Sequence, residues 1–270
     1  MATIVRPSRA LFRFSGAEAQ KLLFDVVTGR LVEESGEAQW WALLSPQGKI
    51  QAEGLSTWED GAFWLDVHTA VADEFFRRMR LYKLRAKVEI EDLRASHVVV
   101  WSTDGEGIAD PRGIGARLIA SADRRGELPD NETPFLAARI AAGIAELGAD
   151  FAPDSTFPHD IGMDLLGGID FVKGCYIGQE VVSRMQHRGT ARRRPLIVAG
   201  LPDGTAPGAP VLVGEREAGT IGQPLNGIAV AILRLDRLPD ENAATVGGLP
   251  VRLTIPSWGT YTFGQSGTGE

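Results

Sequence analysis

Hairpin-linked strands flank one amphipathic helix in the first part of this chain. Residues 40–58 (WWALLSPQGKIQAEGLSTW) predict a strand, a turn at SPQG and a second strand, because proline presets the turn and Gly48 accepts a positive φ. Residues 62–67 (AFWLDV) predict a third strand. The helix predicted after it has one apolar face, made of Val71, Phe75, Met79 and Tyr82. A helix between groups of hairpin strands indicates an α+β fold rather than a doubly wound parallel sheet.

Two further segments have helical patterns. In residues 14–23 (FSGAEAQKLL), Ser15 is a good N-cap and Glu18 stands three residues later, where it completes a capping box. Residues 134–148 (PFLAARIAAGIAELG) predict a helix that ends near Gly148.

The chain changes character after Arg194. Short strand-like pieces there are separated by glycine and proline. This spacing predicts a small barrel or sandwich and a domain boundary close to Pro195.

The composition limits the class of protein. With 270 residues and a single cysteine, the chain has no internal disulfide, so nothing requires an oxidising compartment. The apolar runs are too short to cross a bilayer. Three early arginines faintly resemble a transit peptide, but the start has no apolar signal block, and we expect a cytoplasmic protein. A net charge of −7 argues against a surface covered with nucleic-acid-binding charge.

The single cysteine, Cys175, lies in an unusual setting. Lys173 precedes it by two residues, and the pattern after Gly178 suggests the start of a helix or strand. A lysine and a helix N-terminus both favour the reactive thiolate form. The alternative is a small buried hydrophobic residue, which is the more frequent role of a lone cysteine. The four histidines show no metal-ligand spacing, so we expect no resident metal.

An arginine-rich run follows the cysteine. Residues 184–194 (RMQHRGTARRR) contain five arginines and one histidine without any acid. Such a run is as often a solvated face as an anion site. If it binds an anion, the polyglutamate tail of a folate suits forked arginine hydrogen bonds, and RNA fits an acidic protein less well.

Residues 173–180 (KGCYIGQE), here called the signature segment, resemble the signature of the YgfZ family of folate-binding proteins. That family includes mitochondrial iron–sulfur assembly factors and is related to the glycine-cleavage T-protein, an aminomethyltransferase. The resemblance covers nearly the whole chain. Other similar segments are residues 9–28, 43–53, 81–92, 109–119, 215–222 and 227–234.

The resemblance implies a three-lobed ring of T-protein type, with residues 1–194 as two α+β lobes and residues 195–270 as a C-terminal β-barrel. It also implies a central channel for tetrahydrofolate and a role in assembling or repairing iron–sulfur clusters, chiefly four-iron ones. Cys175 and Lys173 are the implied reactive residues. The implied folate contacts are Tyr176, Gln179, Glu180, Arg184, Asp160 and Glu53.

Two departures from T-proteins weaken the case for aminomethyl transfer, and a third leaves an acid that can still accept a hydrogen bond. Their acidic pair after the hairpin turn is Ala52-Glu53 here, which leaves one acid. Their Arg-x-Glu-Ala-Gly stretch matches residues 139–143 (RIAAG), where alanine replaces the pterin-binding glutamate. The family's Pro-x-Glu becomes Pro158-His159-Asp160, with a shorter acid.

A cluster held by protein normally needs four thiolates, sometimes with histidine replacing some, and this chain supplies one. We therefore expect a monomeric, folate-binding accessory protein without independent turnover, whose partners are assembly proteins or client enzymes. The alternatives are a folate-dependent aminomethyl or one-carbon transferase and a binding protein associated with tRNA modification.

Overall fold

A computed structural model describes residues 2–189 and 191–264. The chain divides into two compact units. Unit 1 comprises the described residues up to Phe135 together with Gly167–Gln179, and unit 2 comprises Leu136–Leu166 with the described residues from Glu180 onward.

Unit 1 contains two antiparallel sheets and two helices. Its elements are β1 (Thr3–Val5), β2 (Arg9–Ser15), α1 (Ala19–Val26), β3 (Ala38–Leu44), β4 (Ile50–Glu59), β5 (Ala62–His68), α2 (Ala72–Lys83), β6 (Glu89–Asp92), β7 (His97–Ser102), β8 (Ile108–Ala109) and β9 (Ala116–Ser121). The larger sheet has the order β3-β4-β5-β2-β6, and the smaller one has the order β1-β7-β9-β8. The predicted hairpin is confirmed, with Trp41 opposite Gly54.

Three of the four residues predicted for the apolar face of α2 are confirmed as part of the core, and Tyr82 is half-buried. Val71, Phe75 and Met79 are buried. The ring of Phe75 lies 5.4 Å from that of Phe12 and 5.5 Å from that of Trp41. Burial of these large apolar side chains is the main force that holds the helix on this face of the larger sheet.

Unit 2 contains a closed β-barrel. Its strands are β10 (Arg193–Ala199), β11 (Pro210–Val213), β12 (Arg216–Ile221), β13 (Ile228–Arg234), β14 (Ala244–Val246) and β15 (Leu249–Thr254). They close in the order β10-β13-β12-β11-β14-β15 around a core that includes Leu196, Val198 and Leu233. The expected C-terminal barrel is confirmed, and the α+β fold class is correct.

Two further helices complete the described elements, α3 (Thr133–Ala142) and α4 (Gln179–Arg188). The prediction that residues 134–148 form one helix is wrong at its end. Gly143 has a φ of 68°, which a helix cannot continue through, and a Cβ there would meet the Pro256 side chain at 2.3 Å.

The predicted capping box at Ser15 is also wrong. Ser15 is the last residue of β2, and α1 begins at Ala19. The Glu18 carboxylate accepts a hydrogen bond from the backbone N–H of Lys87 at 2.7 Å. The Glu18 side chain is therefore bonded to a residue distant in sequence and does not cap α1.

Candidate functional site

The signature segment follows a tight turn that begins at Asp170. The Asp170 carboxylate accepts hydrogen bonds from the backbone N–H groups of Val172 and Lys173, at 2.8 and 3.1 Å. The Asp170 N–H donates to the Thr28 carbonyl oxygen at 3.0 Å, and the Thr28 hydroxyl donates to the Gly168 carbonyl oxygen at 2.7 Å. These bonds fix the loop to the segment that follows α1.

Lys173 points into unit 1 and binds the end of α1. Its Nζ donates to the carbonyl oxygens of Phe24 at 2.9 Å and Gly29 at 3.2 Å, and also to that of Val27. Carbonyls at a helix C-terminus have no partner within the helix and favour a cation. Nζ also lies 4.7 Å from the centroid of the Tyr176 ring.

Burial changes the acid–base properties of both Lys173 and Tyr176. It lowers the pKa of Lys173 from 10.5 to about 8, although Asp170 and Asp25 act in the opposite direction. Burial likewise raises the pKa of Tyr176 above its ordinary value, and Asp170 adds to that shift. The ammonium that was expected beside the Cys175 sulfur is thus bound to backbone carbonyls. Its influence on the thiol stays a prediction.

Cys175 is exposed to solvent. Two apolar neighbours share this exposure, Phe171 at 40% and Val172 at 94%. Lys173 and Tyr176, by contrast, are buried. The loop is therefore anchored by two inward side chains and presents its thiol outward, where another molecule could reach it.

Gly178 fits the loop against the β3–β4 turn. Its φ is 80°, and a Cβ at this position would meet the Ser45 carbonyl oxygen at 2.6 Å and the Gly48 Cα at 3.1 Å. Only glycine tolerates both this conformation and this approach. The signature segment and the predicted hairpin turn, distant in sequence, are in contact.

The α4 residues have mostly local partners. The Gln179 N–H donates to the Tyr176 carbonyl oxygen at 3.2 Å. Glu180 and Arg184 form an exposed ion pair at 2.7 Å, one helical turn apart. In the arginine run, Arg194 pairs with Asp164 at 2.7 Å. The Arg188 side chain and Thr190 lie outside the described part of the chain.

Glu53 belongs to a buried charge network in unit 1. Its carboxylate accepts a hydrogen bond from Trp40 Nε1 at 2.9 Å and lies 3.7 Å from Arg9 Nη1. Arg9 also pairs with Asp66 at 2.5 Å, and Asp66 pairs with Arg117 at 2.6 Å. The sequence analysis did not identify Arg9, Asp66 or Arg117 as site residues. Their one sequence signal is that they are charged residues in strand-like segments whose other residues are mostly apolar.

Asp160 and the 139–143 stretch lie in unit 2. Asp160 is buried in a short 3₁₀ turn, where its carboxylate accepts the Phe157 N–H at 3.1 Å. Arg139 is buried and ion-paired with Asp150. A carboxylate that the sequence analysis missed, that of Glu146, lies 3.8 Å from Arg139 Nε. The acid expected within residues 139–143 of a T-protein is absent from the sequence, but Glu146 places another beside the same arginine.

Within residues 2–189 and 191–264, no group of three or more histidine, cysteine or acidic side chains could hold a metal ion. The helices of this part of the chain include none long and apolar enough to span a membrane.

Comparisons with known proteins support the fold and suggest a role. Residues 192–261 match the family model described as CAF17, C-terminal beta-barrel domain. The crystal structure of glycine cleavage system aminomethyltransferase T from Bartonella henselae aligns with a TM-score of 0.72 over 97% of this chain and 87% of that one, at 12% identity. This likeness establishes the fold alone.

Several relatives carry the name iron-sulfur cluster assembly factor IBA57. The protein of Mus musculus is 29% identical over an alignment of 277 positions that covers 85% of this chain and 76% of the relative. The Pyricularia oryzae homologue is 30% identical over 213 residues, and the Chaetomium globosum homologue is 31% identical over 258. The alignments take in 70% and 78% of this chain but only 55% and 59% of these two relatives.

One prediction is overturned by these names. The relatives are called mitochondrial, which points to mitochondria rather than to the expected cytoplasm. The similarity is to iron–sulfur assembly factors with a T-protein fold, which is a broader assignment than the YgfZ family.

Proposed function

We propose that this protein is an accessory factor of the YgfZ type for the assembly or repair of iron–sulfur clusters, chiefly four-iron ones. Cys175 supplies one thiolate to a cluster whose other ligands come from a partner chain or a small thiol. The observation that carries the proposal is the exposure of this single cysteine on an anchored loop. The names of the relatives favour the same role.

The test is a deletion strain in which activities of four-iron enzymes are restored by the wild-type chain. Cys175→Ala should abolish the rescue, because no other cysteine can replace the thiolate. Its thermal unfolding should stay nearly unchanged, since a small exposed side chain is replaced by another. Ser35→Ala, at an exposed position outside the loop, is the matched control and should rescue fully. Full rescue by Cys175→Ala would disprove the proposal.

We also propose that the protein binds a reduced folate, with Tyr176, Gln179, Glu180, Arg184, Asp160 and Glu53 as the candidate contacts. Support comes from the resemblance of the signature segment to folate-binding proteins. Calorimetry with tetrahydrofolate should give measurable heat. No heat and no thermal shift at high excess would refute folate binding without touching the cluster proposal. A parallel gel shift with tRNA tests the nucleic-acid alternative.

Aminomethyl transfer is the less favoured alternative. Glu53 is buried and engaged with Trp40 and Arg9, which is the environment of a structural carboxylate rather than a proton carrier. We expect no methylenetetrahydrofolate from an aminomethylated lipoyl carrier. Its formation at a measurable rate would favour the transferase.

A further inference from the structure

A cavity of about 260 Å³ lies in unit 1, away from the signature segment in sequence. Its charged and titratable lining residues are Arg6, Arg9, Arg94, His97, Arg125 and Asp130. Neither the cluster proposal nor the folate proposal uses this cavity.

Three of the four arginines are neutralised by carboxylates. Arg6 pairs with Glu132 at 2.7 Å. Arg9 pairs with Asp66, as described above. Arg94 pairs with Asp92 at 2.5 Å and with Asp73 at 2.7 Å. These pairs build the wall of the cavity and leave little charge for a ligand.

Arg125 and Asp130 differ from the other charged lining residues. Arg125 Nη2 donates to the Arg94 carbonyl oxygen at 2.7 Å, which leaves the other guanidinium N–H groups for another acceptor. Within the described ranges, neither Arg125 nor Asp130 belongs to an ion pair. The exposed part of the cavity lining therefore has one charge of each sign without an ion-pair partner, and these two charges do not pair with each other.

We propose that this cavity binds a small zwitterion, namely a free α-amino acid. Its carboxylate accepts hydrogen bonds from the Arg125 guanidinium, whose planar fork matches a carboxylate. Its ammonium donates to the Asp130 carboxylate. Val5 and Val98, which also line the cavity, contact the apolar part of the ligand.

Saturation-transfer NMR on the full chain, with each of the common amino acids in turn, identifies the tightest ligand. Two derivatives of that amino acid then test each charge: the N-acetyl form lacks the ammonium and the primary amide lacks the carboxylate. Each should bind at least about tenfold more weakly, the loss expected for one charged hydrogen-bonded contact. Arg125→Gln should weaken binding of the amino acid by a similar factor and should hardly change binding of the amide.

Arg124→Gln is the matched control, because Arg124 is the adjacent exposed arginine, pairs with Glu127 and does not line the cavity. It should leave binding unchanged, and all variants should unfold at the wild-type temperature. The proposal is overturned if no amino acid binds at 20-fold excess over about 1 mM protein, if the N-acetyl form binds equally well, or if Arg124→Gln weakens binding as much as Arg125→Gln. Arg125-dependent binding of inorganic phosphate alone would likewise overturn it in favour of a simple anion site.

Discussion

Lys173 brings a positive charge into the interior of unit 1, where its protonation depends on the folded state. Burial lowers its pKa to about 8, whereas the unfolded chain keeps the ordinary value of 10.5. Between these pH values the unfolded state binds more protons, so the free energy of unfolding rises with pH. We expect the wild type to gain up to about 3 kcal/mol between pH 8 and pH 10, at about 1.4 kcal/mol per pKa unit. Urea denaturation across this range measures the gain.

Lys173→Met should abolish that gain, because the titrating group is gone. Lys87→Met is the control, since the Lys87 side chain is exposed and makes no contact with Asp170 or Asp25. This control variant should keep the wild-type rise of the unfolding free energy with pH. If the unfolding free energy of Lys173→Met still rises between pH 8 and pH 10, another titrating group causes the rise.

The position of the Lys173 side chain could not be predicted from its neighbours in sequence. The pattern around Cys175 suggested that the ammonium approaches the sulfur. Its carbonyl partners lie 144 to 149 residues earlier in the chain, at the end of α1. Local spacing shows which charged groups are near each other along the chain. It does not show that backbone carbonyl oxygens distant in sequence bind the Lys173 ammonium instead.

At the scale of elements, the contact between the signature segment and the β3–β4 turn depends on Gly178. Gly178→Ala imposes a left-handed conformation on a side chain and pushes its Cβ against the Ser45 carbonyl oxygen. Gly61→Ala is the matched control, because Gly61 has a φ of 68° and open space around it. The control should cost about 1 kcal/mol in unfolding free energy, from backbone strain alone. Gly178→Ala should cost at least about 1 kcal/mol more and reduce rescue. If urea denaturation gives the same loss of unfolding free energy for Gly178→Ala and Gly61→Ala, the contact with Ser45 does not exclude a side chain at position 178.

Elements with strong local signals were predicted well, whereas their ends were not. The β3–β4 hairpin and α2 follow from turn chemistry and apolar spacing, which are encoded within a few residues. The Glu18 carboxylate, expected to complete the cap of α1, is bonded to Lys87 instead, and the end of α3 depends on Gly143 against Pro256. Both partners are distant in sequence, so the helix limits were beyond local reasoning.

At the scale of the whole molecule, the chain returns to unit 1 after residues 136–166. Gly167–Gln179 belongs to unit 1, and Cys175 lies within that returning segment. The sequence change predicted a boundary close to Pro195, and the first barrel strand, β10, begins at Arg193. The sequence near Pro195 did not indicate that Gly167–Gln179 belongs to unit 1. That assignment depends on tertiary contacts, such as the hydrogen bond between Thr28 and Gly168.

The buried network of Arg9, Asp66 and Arg117 joins the two sheets of unit 1, and its stability should depend on pH. Burial alone would raise the pKa of Asp66, but the guanidinium groups of Arg9 and Arg117 hold it below its ordinary 3.8. The unfolded chain thus takes up a proton at a higher pH than the native protein does. The stabilisation by this carboxylate is fully present above pH 3.8 and is lost as the pH falls through the native value.

Arg117→Leu leaves Asp66 with one guanidinium in a buried position, and we expect it to lower the free energy of unfolding by about 3 to 5 kcal/mol at pH 7. Because Asp66 then holds its charge less well, the loss relative to wild type should shrink as the pH falls below 3.8.

Arg13→Leu is the control, since Arg13 forms a partly exposed pair with Glu91 and its replacement should cost under about 1 kcal/mol of unfolding free energy. Adding Asp66→Asn to Arg117→Leu should cost less than the sum of the two single changes, because Asp66→Asn removes the buried charge that Arg117→Leu leaves with only one guanidinium partner. Urea denaturation of the four variants measures both effects. Additive losses, or an Arg117→Leu loss no larger than that of Arg13→Leu, would show that the network does not act as a unit.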